Sequence, residues 1–275
     1  MRIILLLLLF VGHFGQSQEL IEPLELSKQI FSKTKFKQLK KYTTGEYQSN
    51  KNHPNGTDLS STIELEFELL TKLEDISVVA LTLVDSTGIP VTDVYLHFKF
   101  EDQIWKLAAF RGLAMTGLIE QVVQMYDSLN EQQIDSLINQ ENSRFKNRKE
   151  FDFELMNSKL TLASDRELIE HFITNQEKFQ VLVNEVNQDR PEFNPMRRTP
   201  LGENQKQLRQ ELLISHITDG AYSCEDCMEL TIGGMVDNTV GYLYLTDLDQ
   251  VPKMNPNRYI MVRQIASNWY LFKTT

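Results

Sequence analysis

The chain has 275 residues, 41% of them hydrophobic, and sets 28 Lys and Arg against 38 Asp and Glu for a formal net charge of -10 at pH 7. That length and apolar content supply a core for one large or two smaller domains. The acidic balance, with no concentrated basic stripe, argues against nucleic acid and anionic membrane surfaces as partners.

The chain opens with Met1-Arg2 and the apolar run Ile3 to Val11, followed by GHFGQSQ with Gly15 and Ser17 at small-residue positions. This pattern predicts a secretory signal peptide over residues 1–17, cut after Ser17. The run is shorter than the ~20 apolar residues of a membrane span, no later stretch is long and uncharged enough, and no stable membrane insertion is expected. No cysteine follows the run, which argues against a lipid-anchored lipoprotein. The expected location is secreted or periplasmic.

Leu26, Ile30, Leu39 and Tyr42 mark an apolar stripe and predict a helix from about Glu25 to Tyr42, ended by the turn-rich segment from Ser49 to Gly56. Lys33, Lys35, Lys37, Lys40 and Lys41 on it read as a solvated face. STIELEFELL alternates strictly, placing Ile63, Leu65, Phe67 and Leu69 on one side and Glu64, Glu66 and Glu68 on the other, as a half-buried strand does. ISVVALTLVD, VTDVYLHFKF and IWKLAAFR give three more strands. The last two form a hairpin across Asp102-Gln103, pairing Phe100 with Trp105, Phe98 with Leu107 and Leu96 with Ala109. Its reverse face carries Asp93, Tyr95, His97 and Lys99. Leu118 to Leu129 keep helical spacing, and Asn130-Glu131-Gln132-Gln133 spells a capping box for a helix through Ile134, Leu137 and Ile138.

The charged stretch Gln140 to Glu150 divides the chain into units 18–150 and 151–275. Ser164-Asp165-Arg166-Glu167 is a second capping box, opening a helix through Leu168, Ile169, Phe172, Phe179, Leu182, Val183 and Val186. Asn187 to Asn204, with three prolines, reads as a surface connection, and a further helix runs through Leu208, Leu212 and Ile217. MELTI, TVGYLYLT, YIMVRQIA and WYLFKT are strands, the last two joined at Ser267-Asn268. The expected class is α+β: two tandem units, each of helices packed on a curved antiparallel sheet. The two hairpins that open a strand on Trp105 and Trp269 fit an old duplication and a chance likeness equally.

IWKLAAFRGLAMTGLIEQ resembles a hairpin-to-helix signature of uncharacterised secreted proteins of Gram-negative bacteria, and GYLYL with RYIMVRQIASNWYLFKT resembles their carboxy-terminal sheet. A helix followed by a curved sheet with a W-K-L strand, Trp105 to Leu107, is similar to the NTF2-like and cystatin-like superfamilies over residues 20–130. That resemblance implies a conical pocket serving some members as an enzyme site and others as a binding or dimer surface.

No nucleophile elbow, zinc-protease or phosphate-cradling motif is present. Ser32 with Lys35, and Ser143 with Lys146, fit S-x-x-K by spelling alone and lack the partners of a lysine-activated serine. His53 falls in a turn and His171 on an exposed helix face. Asp93, Tyr95 and His97, by contrast, alternate onto one side of a strand about 7 Å apart. A carboxylate, a phenol and an imidazole on one pocket wall could exchange protons with a small molecule; the same face could equally be wet or covered by a helix. Glu64, Glu66 and Glu68 are spread along a strand rather than gathered in a calcium loop, and Asp247 and Asp249 fall short of one.

Cys224 and Cys227 are the two cysteines of the chain, spaced C-x-x-C. A redox site needs a helix after the motif, whereas MELTIGG follows, and Glu225 and Asp226 disfavour a thiolate. Zinc would need two further ligands, with His216 the nearest candidate. In an oxidising compartment the pair is expected to form a disulfide of about 2 kcal/mol that pins a turn.

Three readings follow. The first is a non-catalytic protein that binds a small molecule or a protein partner through a sheet face, with no metal or cofactor. The second is an enzyme on Asp93, Tyr95 and His97, or a thiol redox protein on Cys224 and Cys227. The third is a homodimer packed through its sheets. Enclosure of His97 with Asp93 in a pocket separates the first two.

Overall fold

The computed structural model describes residues 20–49, 54–188, 201–221 and 224–275. The expected signal peptide and His53 lie outside these residues. Among the described residues the fold is α+β, with a four-stranded antiparallel sheet in order β1-β2-β3-β4 and a five-stranded antiparallel sheet in order β5-β6-β7-β9-β8. The strands are β1 (Glu64–Lys72), β2 (Ile76–Val84), β3 (Pro90–Glu101), β4 (Ile104–Arg111), β5 (His216–Ala221), β6 (Cys224–Met235), β7 (Asn238–Tyr244), β8 (Tyr259–Ala266) and β9 (Trp269–Thr274).

The first helix, α1, covers only Pro23–Ile30. Ser32 hydrogen-bonds the Gln29 and Thr34 carbonyls and turns the chain there, and the following KTKFK has no apolar repeat to carry a helix onward. Leu39 and Tyr42 instead sit in a short 3₁₀ turn before α2 (Gly45–Ser49), and the lysines between are exposed. Leu26, Ile30, Tyr42 and Tyr47 pack with Val79, Leu81, Leu96, Phe98, Trp105 and Leu107 as the core on the outer face of the first sheet.

The β3–β4 hairpin turns at Asp102 and Gln103, both with left-handed φ, and pairs Phe100 with Trp105 and Phe98 with Leu107 as expected. A bulge between His97 and Phe98 then shifts the register by one residue, so Leu96 faces Phe110 instead of Ala109. A second bulge after Leu69 breaks the alternation of β1. Leu69 is exposed, and Leu70, on the side of Glu66 and Glu68, packs on the opposite core from Leu65 and Phe67.

Helices α3 (Thr116–Asp127), α4 (Glu131–Ile138) and α5 (Arg148–Thr161) follow, with the expected Asn130/Gln133 capping box closed in both directions. Tyr126, Ile134, Phe145 and Phe151 give this helical group its own small core. The helix expected from Leu168 to Val186 is two, α6 (Asp165–Thr174) and α7 (Gln176–Gln188), because Asn175 caps the first. Likewise α8 spans Glu203–Glu211, and the left-handed φ of Leu213 ends the helix, so Ile217 lies in β5.

The largest core joins the two halves. Val78, Ala80 and Tyr95 from the first sheet cluster with Leu168, Phe172, Phe179, Leu182 and Val183 of α6 and α7 and with Tyr242, Trp269 and Leu271 of the second sheet. Alternation along β9 sends Trp269 and Leu271 into this core, while Phe272 and Tyr270 face a smaller one on the far side.

Docking of α5 onto β6 depends on Gly233. A Cβ there would lie 2.2 Å from Thr161 Oγ1, while Asn157 Nδ2 donates to the Leu213 and Ile232 carbonyls at 2.7 Å on either side. Gly233→Ala is therefore expected to destabilise the chain by about 1–3 kcal/mol through overpacking. Denaturant unfolding checks this, and an unchanged midpoint would show that α5 tolerates displacement.

Candidate functional site

Asp93, Tyr95 and His97 do share one face of β3, and that face is not a pocket wall. Asp93 is 6%, Tyr95 0% and His97 4% exposed, because α6 and the second sheet cover them. Thr82, directly opposite Asp93 on β2, donates to Asp93 Oδ1 at 2.6 Å. Asp93 Oδ2 accepts the Asp165 backbone N–H at 2.6 Å, and Tyr95 Oη donates to Asp165 Oδ1 at 2.8 Å. The capping box that opens α6, Ser164 N–H donating to Glu167 Oε2 at 2.8 Å, presents Asp165 as the first helical residue at this position.

Lys273 completes the cluster from β9. Its Nζ lies 2.8 Å from Asp165 Oδ1 and 3.8 Å from Asp93 Oδ2, and it sits 5.7 Å from the centre of the Tyr95 ring. Arg263 of β8 approaches Asp165 Oδ2 at 4.0 Å and pairs with Glu68 of β1; Arg166 pairs with Glu66 at 2.7 Å. The glutamate face of β1, expected to be solvated, thus bridges to the second half at its edge. Burial, reinforced by the charges of Asp165 and Asp93, pushes the Tyr95 phenol well above its ordinary range. Asp165 Oδ2 is buried and accepts no hydrogen bond.

His97 is isolated from these carboxylates' contacts. Burial lowers its pKa to about 4, with the Arg111 cation adding to the effect and a hydrogen bond to the Ile260 backbone opposing it. Its Nε2 is buried with no hydrogen-bond partner. Arg111 is itself held by Glu46 and by the Pro256 carbonyl. The three polar residues of β3 therefore tie sheets together rather than face an opening.

The cysteines correct the expected disulfide. Cys224 and Cys227 are not joined; both thiols are buried beside Leu243, Leu245, Tyr259 and Phe272. They lie within β6 rather than in a turn ahead of it, where the register of β6 with β5 shifts between Asp219 and Ala221. Cys227 Sγ donates to the Cys224 carbonyl at 3.0 Å.

The other candidates have local roles. His171 is half-buried rather than exposed: its Nε2 lies 3.1 Å from the Leu212 carbonyl, and burial lowers its pKa. His216 Nδ1 lies 3.2 Å from Ser215 Oγ at the start of β5. Ser143 Oγ accepts the Phe145 N–H. Among the described residues no group of three His, Cys, Asp or Glu side chains could hold a metal ion.

An open groove lies elsewhere, on the α3–α4 group. It measures about 450 Å³, with Met125, Leu129, Leu137, Tyr126 and Phe145 as an apolar lining and Arg144 at its edge. Met125 is half exposed, and the Arg144 guanidinium lies over the Phe145 and Tyr126 rings at 4.9 and 5.6 Å while pairing with Glu154 at 2.6 Å.

Sequence reasoning missed Asp165, Lys273 and this groove. Lys273 had a signal: it continues the inward alternation of Trp269 and Leu271, so a lysine there faces the core. For Asp165 the capping box located the residue but not its burial. No protein family, curated protein or solved structure matches this chain.

Proposed function

We propose that this chain is a non-catalytic binding protein, secreted or periplasmic, that takes a small amphipathic anion in the groove between α3 and α4. The observation that carries this reading is the groove itself. Its size falls in the range of ligand sites, its lining is rich in apolar side chains, and Arg144, which also pairs with Glu154, is a cation in that lining. The residues that suggested catalysis are engaged in contacts between the sheets, and both faces of β3 are covered over Asp93 to Phe98. Binding therefore moves from a sheet face to the helices.

Calorimetric titration with dodecanoate tests the proposal. Saturable one-to-one binding is expected, weakened about tenfold or more, roughly 1.4 kcal/mol, by Met125→Glu, which places a carboxylate in the lining at a half-exposed position. Arg144→Gln should weaken dodecanoate more than the uncharged dodecanol. Equal affinity in wild type and Met125→Glu would remove the groove from consideration.

A further inference from the structure

We propose that Lys273 and Asp165 condense into an intramolecular isopeptide bond, with Asp93 carrying the protons. The inference stands apart from the groove and rests on the buried cluster. Lys273 Nζ is held 2.8 Å from Asp165 Oδ1, within reach of the carboxyl carbon, by two rigid elements, β9 and the capped start of α6. Such positioning replaces the entropy cost of a bimolecular encounter. Both side chains are 5% exposed, so little water competes for the carboxyl carbon. A second carboxylate, Asp93, stands 3.8 Å from the same Nζ and is 2% exposed at its side chain.

The cluster is also unbalanced as a plain ion pair. Two carboxylates face one ammonium, and Asp165 Oδ2 is buried without a hydrogen bond, with Arg263 no nearer than 4.0 Å. A buried oxygen left in that state is costly, as is a buried pair of opposite charges. Condensation removes both for Asp165, while Asp93 remains a carboxylate held by the Thr82 hydroxyl and the Asp165 N–H. It expels the unsatisfied oxygen and leaves an amide whose carbonyl oxygen is the one that already accepts the Tyr95 hydroxyl.

The step balances without an added reagent. Nζ starts as ammonium and Asp165 as carboxylate. Nζ gives one proton to Asp93, and its lone pair forms the C–N bond at Asp165 Cγ while the Tyr95 hydroxyl stabilises the charge on Oδ1. Nζ releases its second proton as the tetrahedral centre collapses, the bond from Cγ to Oδ2 breaks, and Oδ2 leaves with both protons as water. Asp93 returns to carboxylate. The product closes a covalent loop from the start of α6 to the end of β9, around the whole second sheet.

Intact mass and peptide mapping of the full chain, denatured and reduced, read the outcome directly. The wild-type chain is expected to be lighter than its sequence by one water and to yield a branched peptide joining Lys273 to Asp165. Asp93→Asn, folded by circular dichroism, is expected to keep the full mass. Linear peptides carrying intact Lys273 and Asp165 would overturn the proposal, as would a water loss with no branched peptide. A folded Asp93→Asn chain that still cross-links would overturn the role given to Asp93. If that variant does not fold, the wild-type map decides alone.

Discussion

Lys273→Met is expected to destabilise the chain by about 3–5 kcal/mol, the usual cost of removing one partner from a buried ion contact. The reason lies in what is left behind. Asp93 and Asp165 are both almost fully buried, their chains meet where Asp93 Oδ2 accepts the Asp165 N–H, and Lys273 is the cation that touches both. Arg263, at 4.0 Å and shared with Glu68, is too distant to take over. The figure is for Lys273 as the ammonium; where it is joined to Asp165 as an amide, the variant removes that cross-link instead and the loss is larger. Denaturant midpoints with unchanged m-values measure the loss, and a change below about 1 kcal/mol would mean that the cluster is wet enough to tolerate bare carboxylates.

The second large effect is a pH dependence centred on His97. Its pKa is held at about 4 in the folded chain, chiefly by burial, against about 6.5 when unfolded. Between those values the unfolded chain binds the extra proton, so stability rises with pH through this window. The contribution is fully present above about pH 6.5 and is lost as pH falls toward 4, amounting to about 3 kcal/mol. His97→Leu should flatten this part of the profile by that amount, while the titrations of other groups remain common to both proteins. Unfolding free energies at neutral pH and near pH 4.5 give the comparison. Parallel profiles would show that His97 titrates normally in the folded chain.

Local rules carried much of the fold. The capping boxes at Asn130 and Ser164, the Asp102-Gln103 and Ser267-Asn268 hairpins and the strand pattern of the first sheet all depend on a few neighbouring residues, and all were readable. What failed depended either on strand pairing or on local contacts that override the apolar stripe. The register shift at His97 and Phe98 brings Phe110 onto the same core as Trp105 and Leu107, which periodicity in one strand cannot reveal. The end of α1 at Ile30 and the break at Asn175 come from side-chain and capping contacts that compete with a continuous apolar stripe.

The candidate site shows the same division. That Asp93, Tyr95 and His97 share a face follows from strand geometry alone. That the face is sealed follows from Asp165, which comes 72 residues after Asp93 along the chain, and from Lys273 on the last strand. A tertiary contact of that kind leaves only a faint trace, here a lysine on the inward side of an otherwise apolar strand. The cysteines misled for the opposite reason. Their spacing and the expected oxidising compartment suggested a bridge across a turn, but both lie inside β6 as separate buried thiols.

The central claim is that the polar face of β3 is a seam between the two sheets, and a double-mutant cycle on Asp93→Asn and Lys273→Met tests it most directly. One residue lies in the first sheet and the other in the second, with Lys273 Nζ 3.8 Å from Asp93 Oδ2. Unfolding free energies of the wild type, the two single variants and the double variant are expected to give a coupling above about 1 kcal/mol. Effects additive within about 0.5 kcal/mol would contradict the seam.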